Sequence, residues 1–221
     1  MRELHQYKTY LFDLDGTLID STGDIAVAVN IVRAEEGLSS LSFEEVGAEI
    51  GHGAMALIRG CFPGESEERI QRIRERFVNA YQQGLCVKTV PMVGAEDCLN
   101  HLRKRGARVA LITNKPRFLG EPLLEQLGWN EHFELSYFGD SFARRKPDPL
   151  PIINALAALN VAASEALFIG DTEVDAEAAH RAGVDLAIVS FGRAAESVLS
   201  GEWGHAARVI DLKSLVEIEH V

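Results

Sequence analysis

Residues 10–21 read Tyr10-Leu11-Phe12-Asp13-Leu14-Asp15-Gly16-Thr17-Leu18-Ile19-Asp20-Ser21. An apolar, aromatic run stops abruptly at two carboxylates spaced two residues apart. If Asp13 ends a strand, side chains two apart lean to the same side, so the two anions crowd each other. Such crowding is unfavourable unless one group holds a proton or a cation sits nearby. Gly16 suits a backbone that turns sharply or lets another group come close. The stretch therefore reads as a metal-dependent site with a nucleophile and an acid, placed at the end of a buried strand.

Downstream of Ser21 the pattern is helical. Asp24 is expected to cap a segment with Ile25, Ala28, Val29 and Val32 on one face, ending near Gly37. Ser42-Phe43-Glu44-Glu45 has capping-box spacing. Gly51-His52-Gly53 interrupts the helix that follows, and from Glu65 a long helix carries Ile70, Ile73, Phe77, Ala80 and Tyr81 on one stripe, stopping at Gly84. Three or four helices and no strand thus follow the carboxylate pair.

From Val90 onward helices and short apolar runs alternate. Helices are expected at 94–105, 117–127, 150–159 and 173–182. Strands are expected at 108–112, 135–138, 166–169 and 186–189, with 208–210 a further strand before a final helix. This alternation predicts a parallel sheet with helices on both faces. The expected fold class is α/β, a Rossmann-like three-layer core of residues 1–20 and 88–221, with an inserted helical cap at 21–87.

In such a sheet, ligands bind beyond the carboxyl ends of the strands. Four segments end there with polar residues: Asp13 and Asp15; Thr113, Asn114 and Lys115; the loop Arg144-Arg145-Lys146-Pro147-Asp148-Pro149; and Asp171 with Asp175 four residues on. Carboxylates without His or Cys beside them favour a hard cation such as Mg2+ over zinc. A hydroxyl, backbone N–H groups and a lysine around that cation suit a phosphate. The chemistry expected is phosphoryl transfer.

These four segments resemble the motifs of the haloacid dehalogenase superfamily, a group of mostly magnesium-dependent phosphatases. Asp13-Leu-Asp15-Gly-Thr17 is similar to its first motif, Thr113 to its second, Lys146 with Pro147-Asp148-Pro149 to its third, and Gly170-Asp171-Thr-Glu-Val-Asp175 to its fourth. Within the superfamily, Thr113-Asn-Lys-Pro116, the helix 175–183 and Gly51-His52-Gly53 resemble phosphoglycolate phosphatases. The resemblance implies Asp13 as nucleophile, forming an aspartyl-phosphate, and Asp15 as acid and then base. It implies that Thr113 and the Asn114 N–H hold phosphoryl oxygens and that Lys146 neutralises charge. Mg2+ would be held by Asp13, the Asp15 carbonyl and Asp171, with Asp175 ligating through water or positioning Lys146. Gly51, His52 and Gly53 would reach the substrate from the cap. The implied substrate is a small phosphorylated metabolite, 2-phosphoglycolate first. A β-phosphoglucomutase-like hexose-phosphate mutase and a phospho-accepting regulatory module are the alternatives. A dehalogenase needs no second carboxylate at Asp15.

The net charge of -11 argues against nucleic acid or an anionic membrane as partner. It also means that an anionic substrate must be held by local positive charge or a metal. Three cysteines, Cys61, Cys86 and Cys98, lack metal-ligand spacing and read as idle thiols of a reducing compartment. With no secretory signal visible and no run of the roughly 20 apolar residues that span a bilayer, a cytoplasmic location is expected. The oligomeric state expected is a monomer or a homodimer.

Overall fold

The computed structural model describes residues 3–51, 53–191, 195–204 and 206–216. The chain divides into two compact units, one of residues 1–19 and 91–221 and the other of residues 20–90.

The larger unit begins with β1 (Thr9–Phe12), and β2 (Ile19–Asp20) follows a tight turn. The smaller unit holds α1 (Thr22–Glu35), α2 (Phe43–Ala48), α3 (Ala54–Cys61) and α4 (Glu67–Gln83). The chain returns through β3 (Val90–Pro91), which pairs with β2. Then come α5 (Ala95–Lys104), β4 (Arg108–Ile112), α6 (Arg117–Gln126), β5 (Leu135–Tyr137), α7 (Leu150–Ala158), β6 (Ala166–Gly170), α8 (Glu173–Ala182), β7 (Asp185–Val189), α9 (Ala195–Ser200) and β8 (Ala207–Val209).

Six strands form one sheet in the order β5-β4-β1-β6-β7-β8, and every pairing is parallel. β1 lies between β4 and β6, which explains its unbroken burial: a central strand covered on both faces has no polar side to show. Leu11, Ala110, Ile112, Phe168 and Ile188 pack on Ile152, Ala155, Ala176 and Ala179 of α7 and α8. Neighbours one residue along, such as Tyr10, Phe12 and Leu111, point to the opposite face by the pleat. The α/β parallel-sheet class read from the alternation is the fold found.

Register sets the level at which each strand ends. Phe12 stands opposite Leu111 on one side and Ile169 on the other. Just beyond the strand ends, Asp13 N donates to Ile169 O at 2.9 Å and Thr113 N donates to Tyr137 O at 2.9 Å. Asp13, Thr113 and Asp171, each the residue just beyond its strand, therefore stand at the carboxyl edge of the sheet.

In the smaller unit, the Ser42 capping box is present, with Glu45 N donating to Ser42 Oγ and Ser42 N to Glu45 Oε2. Ser66 caps α4. Asp24 does not cap α1 as expected. Ser21 holds the cap position, and the Asp24 carboxylate turns to the return segment, accepting from Lys88 N, Thr89 N and Thr89 Oγ1. The first-turn position gave the right helix but the wrong partner for this side chain. Three features escaped the sequence pattern: α9, β2 and β3. The last two are only two residues long and carry no period. The expected final helix is a 3-10 turn at Leu212–Leu215 among the described residues.

Cys61 and Cys98 are buried, and burial pushes their thiols up to about 11 and about 12. They are inert packing at neutral pH. No helix among the described residues is long and apolar enough to cross a membrane.

Candidate active site

The carboxyl edge of the larger unit gathers the side chains to which the sequence pattern points. At the end of β1 the chain turns back on itself, with Leu18 N donating to Leu14 O and Gly16 N to Ile19 O. Leu14 is fully buried, while Asp13 and Asp15 on either side of it meet lysines, Lys146 and Lys115. Gly16 takes φ +89°, and a Cβ there would lie 2.2 Å from Asp171 Oδ2. Glycine is required on both counts: the left-handed backbone and the close approach of Asp171. Thr17 Oγ1 lies 3.4 Å from Asp171 Oδ1, a long hydrogen bond tying the two strand ends together.

Lys146 is inserted between two carboxylates. Its ammonium lies 2.7 Å from Asp13 Oδ1 and 2.6 Å from Asp175 Oδ1, and the residue is only 3% exposed. Its loop is anchored by Asn114, whose Nδ2 donates to Lys146 O at 2.9 Å, and by Asp148, whose Oδ1 accepts from Leu150 N. Asn114, expected to act through its backbone N–H, thus also uses its side chain to place the lysine. Arg144 pairs with Asp148 at the surface.

Asp175 has little capacity left for a ligand. Its Oδ1 accepts from Lys146, and its Oδ2 accepts from Asp171 N, Thr172 N and Thr172 Oγ1. The contact to Thr172 N is the carboxylate half of a capping box at the start of α8. Of the two expected roles for Asp175, positioning Lys146 matches these contacts.

Thr113 Oγ1 accepts from Lys115 N at 3.1 Å. Lys115 then reaches back to Asp15, with Nζ at 2.9 and 3.1 Å from its two carboxylate oxygens. The sequence pattern did not single out this pair. The available signal was that Lys115 lies two residues beyond Thr113 and leans to the same side. Gly51 and Gly53 lie between α2 and α3 of the smaller unit with φ +125° and +87°. His52 lies outside the described residues.

Burial pushes the Asp13 carboxyl up to about 7, with Lys146 opposing the shift and Asp175 and Asp15 adding to it. Burial alone would lower Lys146, but the charges of Asp13 and Asp175 outweigh it and hold the ammonium protonated. Asp13, Asp171 and Asp175 each offer an oxygen within 4.8 Å of the others. An all-oxygen set fits a hard divalent cation rather than zinc. Because the oxygens of Asp175 are taken, Asp13 and Asp171 are the carboxylates best able to hold it.

A family model for haloacid dehalogenase-like hydrolases matches residues 10–189. The chain belongs to that family. Haloacid dehalogenase-like hydrolases similar to it include the phosphoglycolate phosphatase of Pseudomonas savastanoi pv. phaseolicola, 38% identical over 191 residues, covering 84% of this chain and 70% of that one. The phosphoglycolate phosphatase of Cereibacter sphaeroides (strain ATCC 17025) is 38% identical over 186 residues, covering 82% and 84%. Among solved structures, one from Haemophilus somnus 129PT, described as a predicted phosphoglycolate phosphatase, matches with TM-score 0.79 and 28% identity over 85% and 87% of the two chains. One from Lactobacillus delbrueckii subsp. bulgaricus matches with TM-score 0.87 over 96% and 98%, and at 24% identity it shows the shared fold alone. This haloacid dehalogenase-like hydrolase is a phosphoric monoester hydrolase of the phosphoglycolate phosphatase-like kind.

Proposed function

We propose that the chain hydrolyses 2-phosphoglycolate with Mg2+, through an aspartyl-phosphate on Asp13. The observation that carries the mechanism is the buried Asp13 carboxylate, held by Lys146 at 2.7 Å, with the charge of Asp15 near enough to add to its upward shift. The substrate is the one named for the relatives, which match this chain over more than four fifths of its length.

Asp13 attacks phosphorus in line, forming the Asp13 O–P bond as the ester P–O bond breaks. Asp15 gives its proton to the departing ester oxygen, releasing glycolate. It then takes a proton from the water that attacks the phosphoenzyme, and inorganic phosphate leaves with Asp13 regenerated. Lys146 favours the ionised form of Asp13 against the effect of burial and offsets phosphoryl charge. Thr113 and the Asn114 N–H orient phosphoryl oxygens. Mg2+ held by Asp13 and Asp171 would neutralise charge on the phosphoryl group. The helical unit of residues 20–90, with Gly51 to Gly53, is proposed as the substrate-selecting cap.

Phosphate release from a panel of phosphorylated metabolites, measured with Mg2+ and with EDTA, tests this reading. Metal-dependent turnover with 2-phosphoglycolate preferred is expected. No turnover of any member would overturn it, and turnover of another member alone would move the substrate. Asp13→Asn is expected to abolish release while the far-UV circular dichroism stays unchanged.

A further inference from the structure

The site holds two lysines, and they are used differently. Lys146 is locked between Asp13 and Asp175. Lys115 is almost as deeply placed, with 5% of its side chain exposed, yet it faces Asp15, the most open carboxylate of the group at 18%. Burying an ammonium costs several kcal/mol unless it is paired, and here the pairing falls to Asp15, whose two oxygens lie 2.9 and 3.1 Å away. Holding Asp15 in place does not require a cation, since a neutral donor would hydrogen-bond a carboxylate equally well in direction. The local fold directs the side chain inward. Thr113 Oγ1 accepts from Lys115 N and Lys115 O accepts from Gly139 N, so the turn after β4 returns the ammonium to the site.

We propose that Lys115 is a specificity-determining residue whose ammonium binds a carboxylate carried by the leaving group of the phosphomonoester. The inference rests on the phosphatase reading above, in which Asp15 serves the ester oxygen. Whatever is attached to that oxygen begins beside Asp15, and therefore beside Lys115. In an α-phosphorylated hydroxy acid the carboxylate lies two bonds from the ester oxygen, within reach of the same ammonium. Charge points the same way. Asp13, Asp15, Asp171 and Asp175 surround the site in a chain of net charge -11, so a second anion on the substrate meets repulsion unless a cation receives it. Lys146 is paired with two carboxylates and Lys115 with one, Asp15, and a divalent cation would be committed to the phosphoryl group. Among the described residues, Lys115 is the lysine beside Asp15. A neutral leaving group would draw no benefit from it, which is the basis of selection.

The test compares 2-phosphoglycolate with 2-hydroxyethyl phosphate, which replaces the carboxylate with a hydroxymethyl group, in wild type and in Lys115→Met. Wild type is expected to favour 2-phosphoglycolate in kcat/KM by about tenfold or more, the range for one charge-assisted hydrogen-bonded contact. Lys115→Met is expected to lose that preference, chiefly through a higher KM for 2-phosphoglycolate. A less well placed Asp15 lowers kcat for both substrates alike, so the ratio between them is the readout. Lys115→Arg, which keeps the charge, is expected to retain part of the preference. If Lys115→Met does not fold, Lys115→Gln takes its place in the same comparison. A wild type that turns over both substrates equally overturns the inference and leaves the phosphatase reading standing. So does a variant whose two rates fall by one common factor. A wild type inactive on both overturns the two together.

Discussion

Lys146 Nζ lies 2.6 Å from Asp175 Oδ1, and the two side chains are only 2% and 1% exposed. The pair joins the loop before α7 to the first turn of α8, and Asp175 simultaneously receives the N–H groups of Asp171 and Thr172. One carboxylate thus fixes the lysine, the strand end that carries Asp171 and the start of a helix. Breaking a buried pair by removing one partner leaves an uncompensated charge. Asp175→Asn is expected to cost about 3 kcal/mol in a urea titration, the low end of the usual range because Lys146 keeps Asp13. kcat should fall more than KM rises, since the substrate is not touched by Asp175. A variant of wild-type stability would show that Asp175 does not anchor this loop.

The Asp13 carboxyl, pushed up to about 7 by burial, makes stability depend on pH in a definite direction. Its unfolded value is near 3.8, so between these values the folded chain binds more proton than the unfolded chain. This contribution is fully present below pH 4 and is lost as pH rises through about 7. In EDTA, the unfolding free energy of wild type is expected to decline from pH 5 to pH 8 more steeply than that of Asp13→Asn. Saturating Mg2+ favours the ionised carboxylate and should flatten the wild-type curve. Parallel curves for the two proteins in EDTA would contradict the assignment.

Gly16→Ala combines an unfavourable backbone with a collision. At φ +89° an alanine is strained, and its Cβ would lie 2.2 Å from Asp171 Oδ2. A loss of about 2 kcal/mol is expected from the strain. Displacement of Asp171 should also weaken Mg2+ activation, seen as a higher Mg2+ concentration for half-maximal rate. Gly16→Ala with wild-type metal dependence would show that Asp171 relaxes freely.

Much of this arrangement was legible because residue type and position agreed. Tyr10 to Phe12 reads as a buried strand, and a run so apolar ending in two aspartates places the edge of a parallel sheet. The strands ending near Thr113 and Gly170 follow by the same reasoning, and the sheet found has them on either side of β1. What was not legible is the choice of partner among side chains of like chemistry. Any of the carboxylates offers itself to any lysine, and only the fold assigns Lys146 to Asp13 and Asp175 and Lys115 to Asp15. Asp24 shows the same limit. Its type and first-turn position suit a helix cap, but the return segment, more than sixty residues away in sequence, offers three donors at once.

Asp24 leads to the last prediction. Its carboxylate is 4% exposed and accepts from Lys88 N at 2.7 Å, Thr89 N at 2.9 Å and Thr89 Oγ1 at 2.6 Å. These contacts join the first turn of α1 to the segment by which the chain leaves the helical unit. Val87 beside it is 76% exposed, so apolar packing contributes little at that point and the polar clamp holds the segment. Asp24→Ala strands two backbone donors and one hydroxyl, and is expected to cost about 3 kcal/mol. Asp24→Asn keeps one acceptor oxygen but turns its amide toward a donor, so about half that loss is expected. The local readout is native-state hydrogen exchange. The amides of Lys88 and Thr89 should lose protection in Asp24→Ala by a larger factor than those in the middle of α4, because the segment opens before the helices do. Equal acceleration at both places would mean that the helical unit opens as one body and that Asp24 supports its global stability rather than this clamp.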